Sequence, residues 1–414
     1  MQIVAEHELQ NRFGALPLGE PRAVVSGNFA MPHRLLALFD AAVESYRIFA
    51  LNAQEGVPVR PGVVPETPFV GPGMRGLPAL DYLPMRLSLV PRLFDRARPP
   101  DVVLLHTSTP RRNKVSLGTE VNILPAAIER ARARGGLVVA QLNPRMPYTL
   151  GDGELDLDDI DLAVEVDEAL PSPARRPVGD VTGAIGAEVA TLVEDGSTIQ
   201  IGIGEIPDAV LASLGSVRDI GVWSEAISDG VLELERGGVL DDDRTIVTTF
   251  LFGSPELYAF VDDNPRVRVL RTETVNDPVA IASFPRMCSL NTALQVDLFD
   301  QANASFVRGR IYSGFGGQPD FVVGALHSDG GHAVIALASW HAKSDSSTIV
   351  PRLAEPATSF QHSAVVTEHG RALIFGRSQR AQARLLIEET AHPDARAELW
   401  DALGTVGARS GPAR

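Results

Sequence analysis

The sequence has very little cysteine and very little lysine. Of its 414 residues one is a cysteine, Cys288, and two of the 37 basic residues are lysines, Lys114 and Lys343. A single thiol cannot form an internal disulfide, so the sequence predicts a protein of a reducing compartment. Cys288 lies in an apolar, strand-like context, which favours a small buried side chain over a nucleophilic thiol.

A long uninterrupted apolar run is also missing. Residues 1–16 mix charged and polar side chains and lack the apolar core of a signal peptide. The most apolar stretch, residues 321–340, is broken at 327–332 and indicates two strands around a turn, not a membrane span. The net charge of −15 argues against nucleic-acid and anionic-membrane surfaces, but leaves room for an arginine-lined anion pocket. We therefore expect a soluble, cytoplasmic protein.

Several familiar site motifs do not occur. The sequence contains no G-x-x-x-x-G-K-[ST] phosphate loop and no G-x-S-x-G nucleophile elbow. Its nine histidines are scattered without a recognised metal-ligand spacing. We therefore predict no metal site.

Strand-like apolar runs alternate with helical patterns along the chain. Arg22–Ser26, Asp101–Leu105 and Leu137–Leu142 are such runs, and the last two are continuous, as in strands covered on both faces. Residues 32–46 and 125–133 have apolar side chains at helical spacing. This alternation predicts an α/β protein with a parallel sheet.

A candidate domain boundary lies at Leu170–Val181, where three prolines stand close together. After it the alternation of strands and helices begins again. The length is also compatible with two domains, since domains commonly hold about 100–200 residues. We predict two α/β domains, residues 1–175 and residues 182–414.

Residues Gln200–Leu211 predict a strand that runs into glycines and then into a helix opened by Pro207. Gly202 and Gly204 would let a ligand approach the backbone closely, and a helix N-terminus favours an anion. The segment is not a dinucleotide fingerprint, because the third glycine would fall at Pro207. A turn required only by packing also explains the same residues.

In Asp219–Leu234 an apolar strand is predicted to end at Glu225, and a helix to begin near Ser228 and Asp229. A carboxylate at the carboxyl end of a parallel strand can act as a base, a nucleophile or a metal ligand. It can equally be a helix-capping or salt-bridging acid.

A third segment, Tyr312–Phe321, contains glycines at positions 314, 316 and 317. The amides of such a loop can converge on an oxyanion, although many glycine-rich loops are only turns.

Taken together, these segments resemble the acetyl-CoA hydrolase/transferase family and, within it, the 4-hydroxybutyrate CoA-transferase-like group. The similar stretches follow the family's order over most of the chain. They are VVSGN, LVVAQLNPRMPYTLGD, IDLAVEVDEALP, IQIGIGEIPDAVLASL, WSEAISDG, NTALQVDLF, SGFGGQPDF, VVTEHG and AHPDAR.

The resemblance implies two CoA-transferase-type (NagB/RpiA-like) α/β domains with the active site between them, and a homodimer. It implies an acyl-CoA and a free carboxylic acid as substrates, with no metal. Glu225 would be the nucleophile that carries a glutamyl-CoA thioester, and the Gly317 amide would stabilise the oxyanion. The positions that match coenzyme A contacts of the family are Gly202, Ile203, Gly204, Glu205, Ile206, Leu294, Gly317 and Lys343.

Two alternatives stay open at this point. On the same scaffold, water instead of a carboxylate could open the intermediate, which would make the protein an acyl-CoA hydrolase. More remotely, the chain could bind acyl-CoA without catalysis. Glu205 also departs from the family pattern, because relatives usually have a small residue there. The sequence does not identify the donor and acceptor acids.

Overall fold

The structure, a computed structural model, describes residues 1–17, 19–173, 177–357 and 361–408. Two large sheets dominate it, one built from each half of the chain. The predicted boundary at Leu170–Val181 includes residues 174–176, which lie outside the described ranges. The division into domains 1–175 and 182–414 therefore stays a prediction.

The first half forms an eight-stranded sheet in which every neighbouring pair of described strands is parallel. Its strands are β1 (Gln2–Ile3), β2 (Arg22–Val25), β3 (Tyr46–Phe49), β4 (Val63–Thr67), β5 (Asp81–Tyr82), β6 (Val102–Thr107), β7 (Leu137–Leu142) and β8 (Leu162–Glu165). Their spatial order is β1-β8-β7-β6-β2-β3-β4-β5. The winding direction therefore reverses between β2 and β6, which is the kind of position where open α/β sheets bind ligands.

The second half forms a six-stranded sheet from the described strands. They are β9 (Thr198–Ile201), β10 (Gly221–Val222), β11 (Met287–Thr292), β12 (His332–Ala336), β13 (Ala364–Thr367) and β14 (Gly370–Leu373). The order is β10-β9-β11-β12-β13-β14, parallel except for the last pair. This sheet reverses its winding between β9 and β11.

Helices cover both sheets. In the described residues they are α1 (Glu6–Gly14), α2 (His33–Ala42), α3 (Pro91–Asp95), α4 (Leu124–Ala133), α5 (Asp180–Ala190), α6 (Glu205–Ser213), α7 (Asp229–Arg236), α8 (Pro255–Val261), α9 (Thr272–Val275), α10 (Pro278–Ala282), α11 (Gln318–His327), α12 (Gln379–Leu385) and α13 (Arg396–Ala408). Within the described ranges no helix is both long and apolar enough to cross a membrane.

Short strand pairs lie outside the two sheets. They join Lys114–Ser116 to Glu154–Asp156, Ala226–Ile227 to Phe250–Leu251, Ile246–Thr248 to Val267–Val269, Gln295–Asp297 to Ala302–Asn303 and Ile349–Val350, Phe306–Val307 to Arg310–Ile311, and Trp340–His341 to Ser346–Ser347.

The α/β fold predicted from the sequence is confirmed, and so are most of its elements. The predicted strands correspond to β2, β6 and β7, and every residue of β6 is buried, as its continuous apolar run indicated. The helix predicted over residues 32–46 ends earlier, at Ala42. Tyr46 instead begins β3, and its ring packs edge-on against Phe39 with centroids 5.0 Å apart.

The prediction of two strands over residues 321–340 is wrong for its first part. Residues up to His327 belong to α11, and only His332–Ala336 form a strand. A short apolar run has no periodicity that separates a strand from a buried helix. Pro319 in the first turn of α11 was the available signal, because proline suits that position.

The core is continuous between the two halves. One cluster of buried apolar side chains includes Val24 and Val103 of the first sheet and Ile201 and Leu290 of the second. Cys288 belongs to the same cluster with 3% of its surface exposed, and burial raises the pKa of its thiol to about 12. The prediction that Cys288 is a buried residue is therefore confirmed.

A buried carboxylate ties three strands of the first sheet together. Glu66 on β4 has 0% exposure and accepts hydrogen bonds from Arg22 on β2 at 2.7 Å and from Arg47 on β3 at 3.0 Å. Arg98 also donates to it, at 2.5 Å. Burial alone would raise the pKa of Glu66, but the three guanidinium groups outweigh this effect and hold it below its ordinary value.

We expect Glu66→Gln to lower the free energy of unfolding by roughly 3 kcal/mol near pH 7, because it leaves three arginines without their shared anion. The pKa of Glu66 is lowered on folding, so its contribution exists above 4.5 and is lost as the pH falls through the folded value. Urea unfolding at pH 7 and pH 4 should therefore show a difference that shrinks in acid. Glu20→Gln, which removes the exposed partner of Arg47, is the control and should cost less than about 0.5 kcal/mol; equal losses would contradict the prediction.

Candidate active site

A cavity of about 420 Å³ lies between the two halves. The polar part of its wall consists mainly of amide side chains, among them Asn28, Asn122 and Gln200. Among the described residues that line it, Glu225 is the only acid and Arg75 the only base.

In each sheet, the position at which the winding direction reverses lies beside this cavity. Asn28 follows β2 in the first half and lines the cavity. Gly202 and Ile203 follow β9 in the second half and line it from the other side, beside Asn291 at the end of β11. The two halves therefore contribute the same kind of sheet edge to one site.

The backbone at Glu225 differs from its prediction. The sheet strand β10 already ends at Val222, and Glu225 instead precedes the short strand Ala226–Ile227, which pairs with Phe250–Leu251. The predicted helix start is confirmed, since α7 begins at Asp229.

Several donors surround the main-chain carbonyl of Glu225. The backbone N–H groups of Thr249 and Phe250 donate to it at 3.0 and 3.2 Å, and the Thr249 hydroxyl at 2.8 Å. The Thr248 hydroxyl lies 3.1 Å from it and 3.0 Å from the Phe250 carbonyl, to either of which it can donate. This number of bonds to a single carbonyl fixes the backbone from which the carboxylate projects into the cavity.

The Glu225 carboxylate is surrounded by uncharged donors. Asn276 Nδ2 donates to Oε2 at 3.2 Å, and the backbone of Gly317 lies against the same oxygen. Burial raises the pKa of Glu225 to about 7; the negative charge of Asp320 acts in the same direction, while the bonds from Asn276 and Gly317 oppose it. In the described ranges no arginine or lysine pairs with the carboxylate, and Ser228 is the residue at the N-cap of α7. The alternative of a capping or salt-bridging acid is therefore wrong.

The glycine loop, residues 312–317, is placed against Glu225 and ends at the N-terminus of α11. A methyl group on the Gly317 Cα would overlap the Glu225 carboxylate and the Asn276 amide, so only glycine permits this approach. Gly316 has a φ of +56°, a left-handed conformation that also favours glycine.

The first half of the chain forms hydrogen bonds with this loop along its length. The N–H of Val70 donates to the Ser313 carbonyl at 2.8 Å, and the N–H of Leu87 donates to the Gly316 carbonyl at 2.9 Å. Arg75 Nε donates to the Tyr312 carbonyl at 3.0 Å, and its guanidinium lies 4.0 Å from the centre of the Tyr312 ring.

The structure brings some of the predicted residues together and not others. Glu225, Gly317, Gly202 and Ile203 all line the cavity. Gly204 has a φ of +134° and caps α6, whose first residues are Glu205 and Ile206; this part of the predicted turn lies outside the cavity wall.

The two remaining predicted positions lie on the surface. Leu294, just beyond the end of β11, is 36% exposed, and Lys343 is exposed between the short strands Trp340–His341 and Ser346–Ser347. Neither lines the cavity.

Sequence reasoning missed residues that the structure places at the site. Asn276 and Asp320 act on Glu225, and Asn122 lines the cavity from the first half. For Asn28 a signal existed, because a polar residue directly after a buried parallel strand lies at the ligand-binding edge. Asn276 comes after the short helix α9, and nothing in its local sequence marks it.

The comparisons with known proteins agree with this architecture. Residues 253–403 match the family model for the acetyl-CoA hydrolase/transferase C-terminal domain. The chain is 40% identical to the 4-hydroxybutyrate coenzyme A transferase of Clostridium kluyveri over 78% of this chain and 76% of that protein. It is 35% identical to the succinyl-CoA:cyclohexane-1-carboxylate CoA transferase of Geobacter metallireducens, over 78% and 75%.

Solved structures share the whole fold. RipA from Yersinia pestis superposes with a TM-score of 0.90 at 27% identity, covering 98% of each chain. The 4-hydroxybutyrate CoA-transferase of Porphyromonas gingivalis gives a TM-score of 0.81 at 30% identity, over 99% of this chain and 98% of that one. The chain therefore belongs to the acetyl-CoA hydrolase/transferase family and is an enzyme of the CoA-transferase class.

Proposed function

We propose that the protein moves coenzyme A from an acyl-CoA to a free carboxylic acid through a glutamyl-CoA thioester on Glu225. The observation that carries this proposal is the position of Glu225, which is the sole acid among the described residues of the cavity wall. Within the described part of the chain its neighbouring donors are amides and not cations, which leaves a carboxylate oxygen free to form a covalent bond.

The proposed reaction requires no added proton and no cofactor. A carboxylate oxygen of Glu225 attacks the thioester carbon of the acyl-CoA, the carbon–sulfur bond breaks, and coenzyme A leaves as a thiolate. The thiolate then attacks the Glu225 carbonyl carbon of the resulting anhydride and releases the acyl group as a carboxylate. The second acid attacks the glutamyl-CoA thioester, and the same two steps run in reverse to give the new acyl-CoA.

The geometry supports Gly317 as the oxyanion donor of this sequence. Each addition at the Glu225 carbonyl carbon places negative charge on an oxygen of that side chain. The Gly317 backbone lies against the Glu225 carboxylate and its N–H favours the charged form, so this N–H is placed to stabilise that oxygen. Its fixed position at the start of α11 makes it a preorganised donor.

The proposal assigns coenzyme A to the carboxyl edge of the second sheet. Gly202 to Ile206 would contact it at the N-terminus of α6, because the positive end of a helix dipole favours an anion. Leu294 and Lys343 would contact it outside the cavity, with the Lys343 ammonium placed for a phosphate. Two domains (1–175 and 182–414), a cytoplasmic location and a homodimer belong to the same proposal. The domain boundary and the location rest on the sequence pattern, and the homodimer rests on the family resemblance alone.

A hydrolase remains the second candidate, because relatives of the chain include a protein named acetyl-CoA hydrolase from Kluyveromyces lactis, 31% identical over 62% of this chain and 53% of that one. The two activities share every step up to the thioester and differ in whether water opens it. Coenzyme A release measured with and without an acceptor acid separates them: release that requires the acid identifies a transferase.

Intact mass tests the covalent step directly. After mixing with acetyl-CoA or butyryl-CoA we expect an adduct of the mass of coenzyme A, mapped to the peptide that contains Glu225 and cleaved by borohydride. Glu225→Gln should abolish it, whereas Glu256→Gln, which changes an exposed acid paired with Arg236, should retain it. If no adduct forms with a broad panel of acyl-CoA substrates, the nucleophile assignment is wrong and binding without catalysis becomes the better explanation.

The pH dependence of the reaction follows from the raised pKa of Glu225. The nucleophile is the carboxylate, so kcat/KM for the acyl-CoA should rise as the pH increases through about 7 and then level off. Folding raises this pKa from 4.5 to about 7. Ionisation of Glu225 therefore disfavours the folded state, and the free energy of unfolding falls as the pH rises from 4.5 through 7. Glu225→Gln should therefore unfold at higher urea than the wild type at pH 8 and equally at pH 4. A flat rate profile from pH 5 to 8 would contradict the assignment.

Gly317→Ala should reduce kcat by about 100-fold or more, because the added methyl displaces the Glu225 carboxylate and the oxyanion donor together. Steady-state kinetics and circular dichroism would measure activity and folding. Gly215→Ala is the matched control, since its added methyl meets open space. Retained activity in Gly317→Ala would show that the loop does not supply the donor.

A further inference from the structure

We propose that Asp320 is a positioning residue for the reaction, which locks the glycine loop to the first half of the chain and sets the electrostatic environment of Glu225. This inference rests on the proposed function. Asp320 would not contact the substrate; it would act through Gly317 and Asn276.

Asp320 lies in the first turn of α11, three residues after Gly317, and has 0% exposure. All of its strongest partners come from the first half of the chain. The backbone N–H of Ser88 donates to Oδ2 at 3.0 Å and the Ser88 hydroxyl to Oδ1 at 2.7 Å, while Arg86 Nε lies 3.4 Å from Oδ1. A buried carboxylate needs such donors, and here they cross from one half to the other.

These contacts add to a row that fixes the loop from end to end. The first half already holds the Tyr312, Ser313 and Gly316 carbonyls through Arg75, Val70 and Leu87. Ser88 follows Leu87 directly, so Asp320 extends this grip by one turn beyond Gly317, into α11. Gly317 is thereby held on both sides.

A second link runs to Glu225. The Asn276 amide donates to Glu225 at 3.2 Å and also faces the Asp320 carboxylate, so a single side chain lies between the two acids. Asn276 is fully buried and cannot turn to solvent. The negative charge of Asp320 raises the pKa of Glu225. The charged groups that face Asp320 are Arg86 and, across Asn276, Glu225 itself.

The negative charge of Asp320 has two opposing effects on the site. Its charge makes Glu225 a more basic nucleophile, but two buried anions on one amide repel each other. Arg86 and Ser88, both from the first half of the chain, supply the compensating cation and hydrogen-bond donors to Asp320. Arg86 and Ser88 therefore offset the burial cost of the second anion, although they do not contact the reacting atoms.

The test is Asp320→Asn in the full chain, assayed with acetyl-CoA or butyryl-CoA and an acceptor acid across pH 5 to 9. We expect kcat to fall roughly 10–100-fold while KM for the acyl-CoA stays within about 3-fold of the wild-type value. The Gly317 N–H would be displaced, but the surface that binds the acyl-CoA would be unchanged. The rise of kcat/KM with pH should move to lower pH, because one negative charge near Glu225 is gone. Ser88→Ala should move both quantities in the same direction by less, and it tests the proposal if Asp320→Asn fails to fold.

Asp263→Asn is the matched control. It removes another ion pair between the halves, with Arg112, which lies away from the loop. We expect it to leave kcat and the pH profile at wild-type values. A folded Asp320→Asn enzyme with wild-type kcat, or with a reduced kcat and an unmoved pH profile, would overturn the positioning role. Neither result would affect the proposed function as long as the wild-type enzyme forms the glutamyl-CoA adduct. If the wild-type enzyme forms no adduct, the proposed function itself is wrong.

Discussion

The burial of the Glu225 carboxylate, which has no counter-charge among the residues that the structure describes, is the constraint on which the rest of this site depends. In the proposed reaction Glu225 must be ionised, and a buried ionised carboxylate is costly unless hydrogen-bond donors surround it. The protein supplies an amide from Asn276, a backbone N–H from Gly317 and a rigid backbone at Glu225 itself. A lysine or arginine at the same place would stabilise the charge far more, but it would also make the oxygen a poorer nucleophile.

This choice explains why the site lies between two halves. A single sheet edge offers donors from one side only, whereas two edges that face each other can enclose a side chain. Asn28 after β2 and Gly202 after β9 mark the same topological position in each half. The continuous apolar core beneath them, with Val24 and Ile201 in one cluster, keeps the two edges at a fixed separation. Precise contact at Gly317 then requires no movement between the halves.

The sequence predicted those parts of the fold that depend on local pattern. Continuous apolar runs located β6 and β7, and the start of α7 followed from Ser228 and Asp229. The same reasoning failed at residues 321–327, because a buried helix and a buried strand are both uniformly apolar. Family resemblance singled out Glu225 and Gly317, and the structure places them in contact. It could not reveal Asn276, Ser88 or Asp320, since their positions follow from packing between segments far apart in the chain.

The amide-rich wall has a physical reason of its own. In the proposed reaction an acid substrate enters as an anion, an acid product leaves as one, and coenzyme A is a thiolate between the steps. The cavity would therefore have to accept negative charge without binding it too tightly. Amide side chains donate hydrogen bonds but carry no net charge, and they therefore hold each anion less tightly than a guanidinium would. Glu120, which is 1% exposed and bonded by the Asn122 amide at 3.1 Å, fits the same principle, because burial raises its pKa to about 7. A site lined by strong cations would bind every anion of the proposed reaction tightly, whereas weak neutral donors would let one carboxylate replace another at similar free energy.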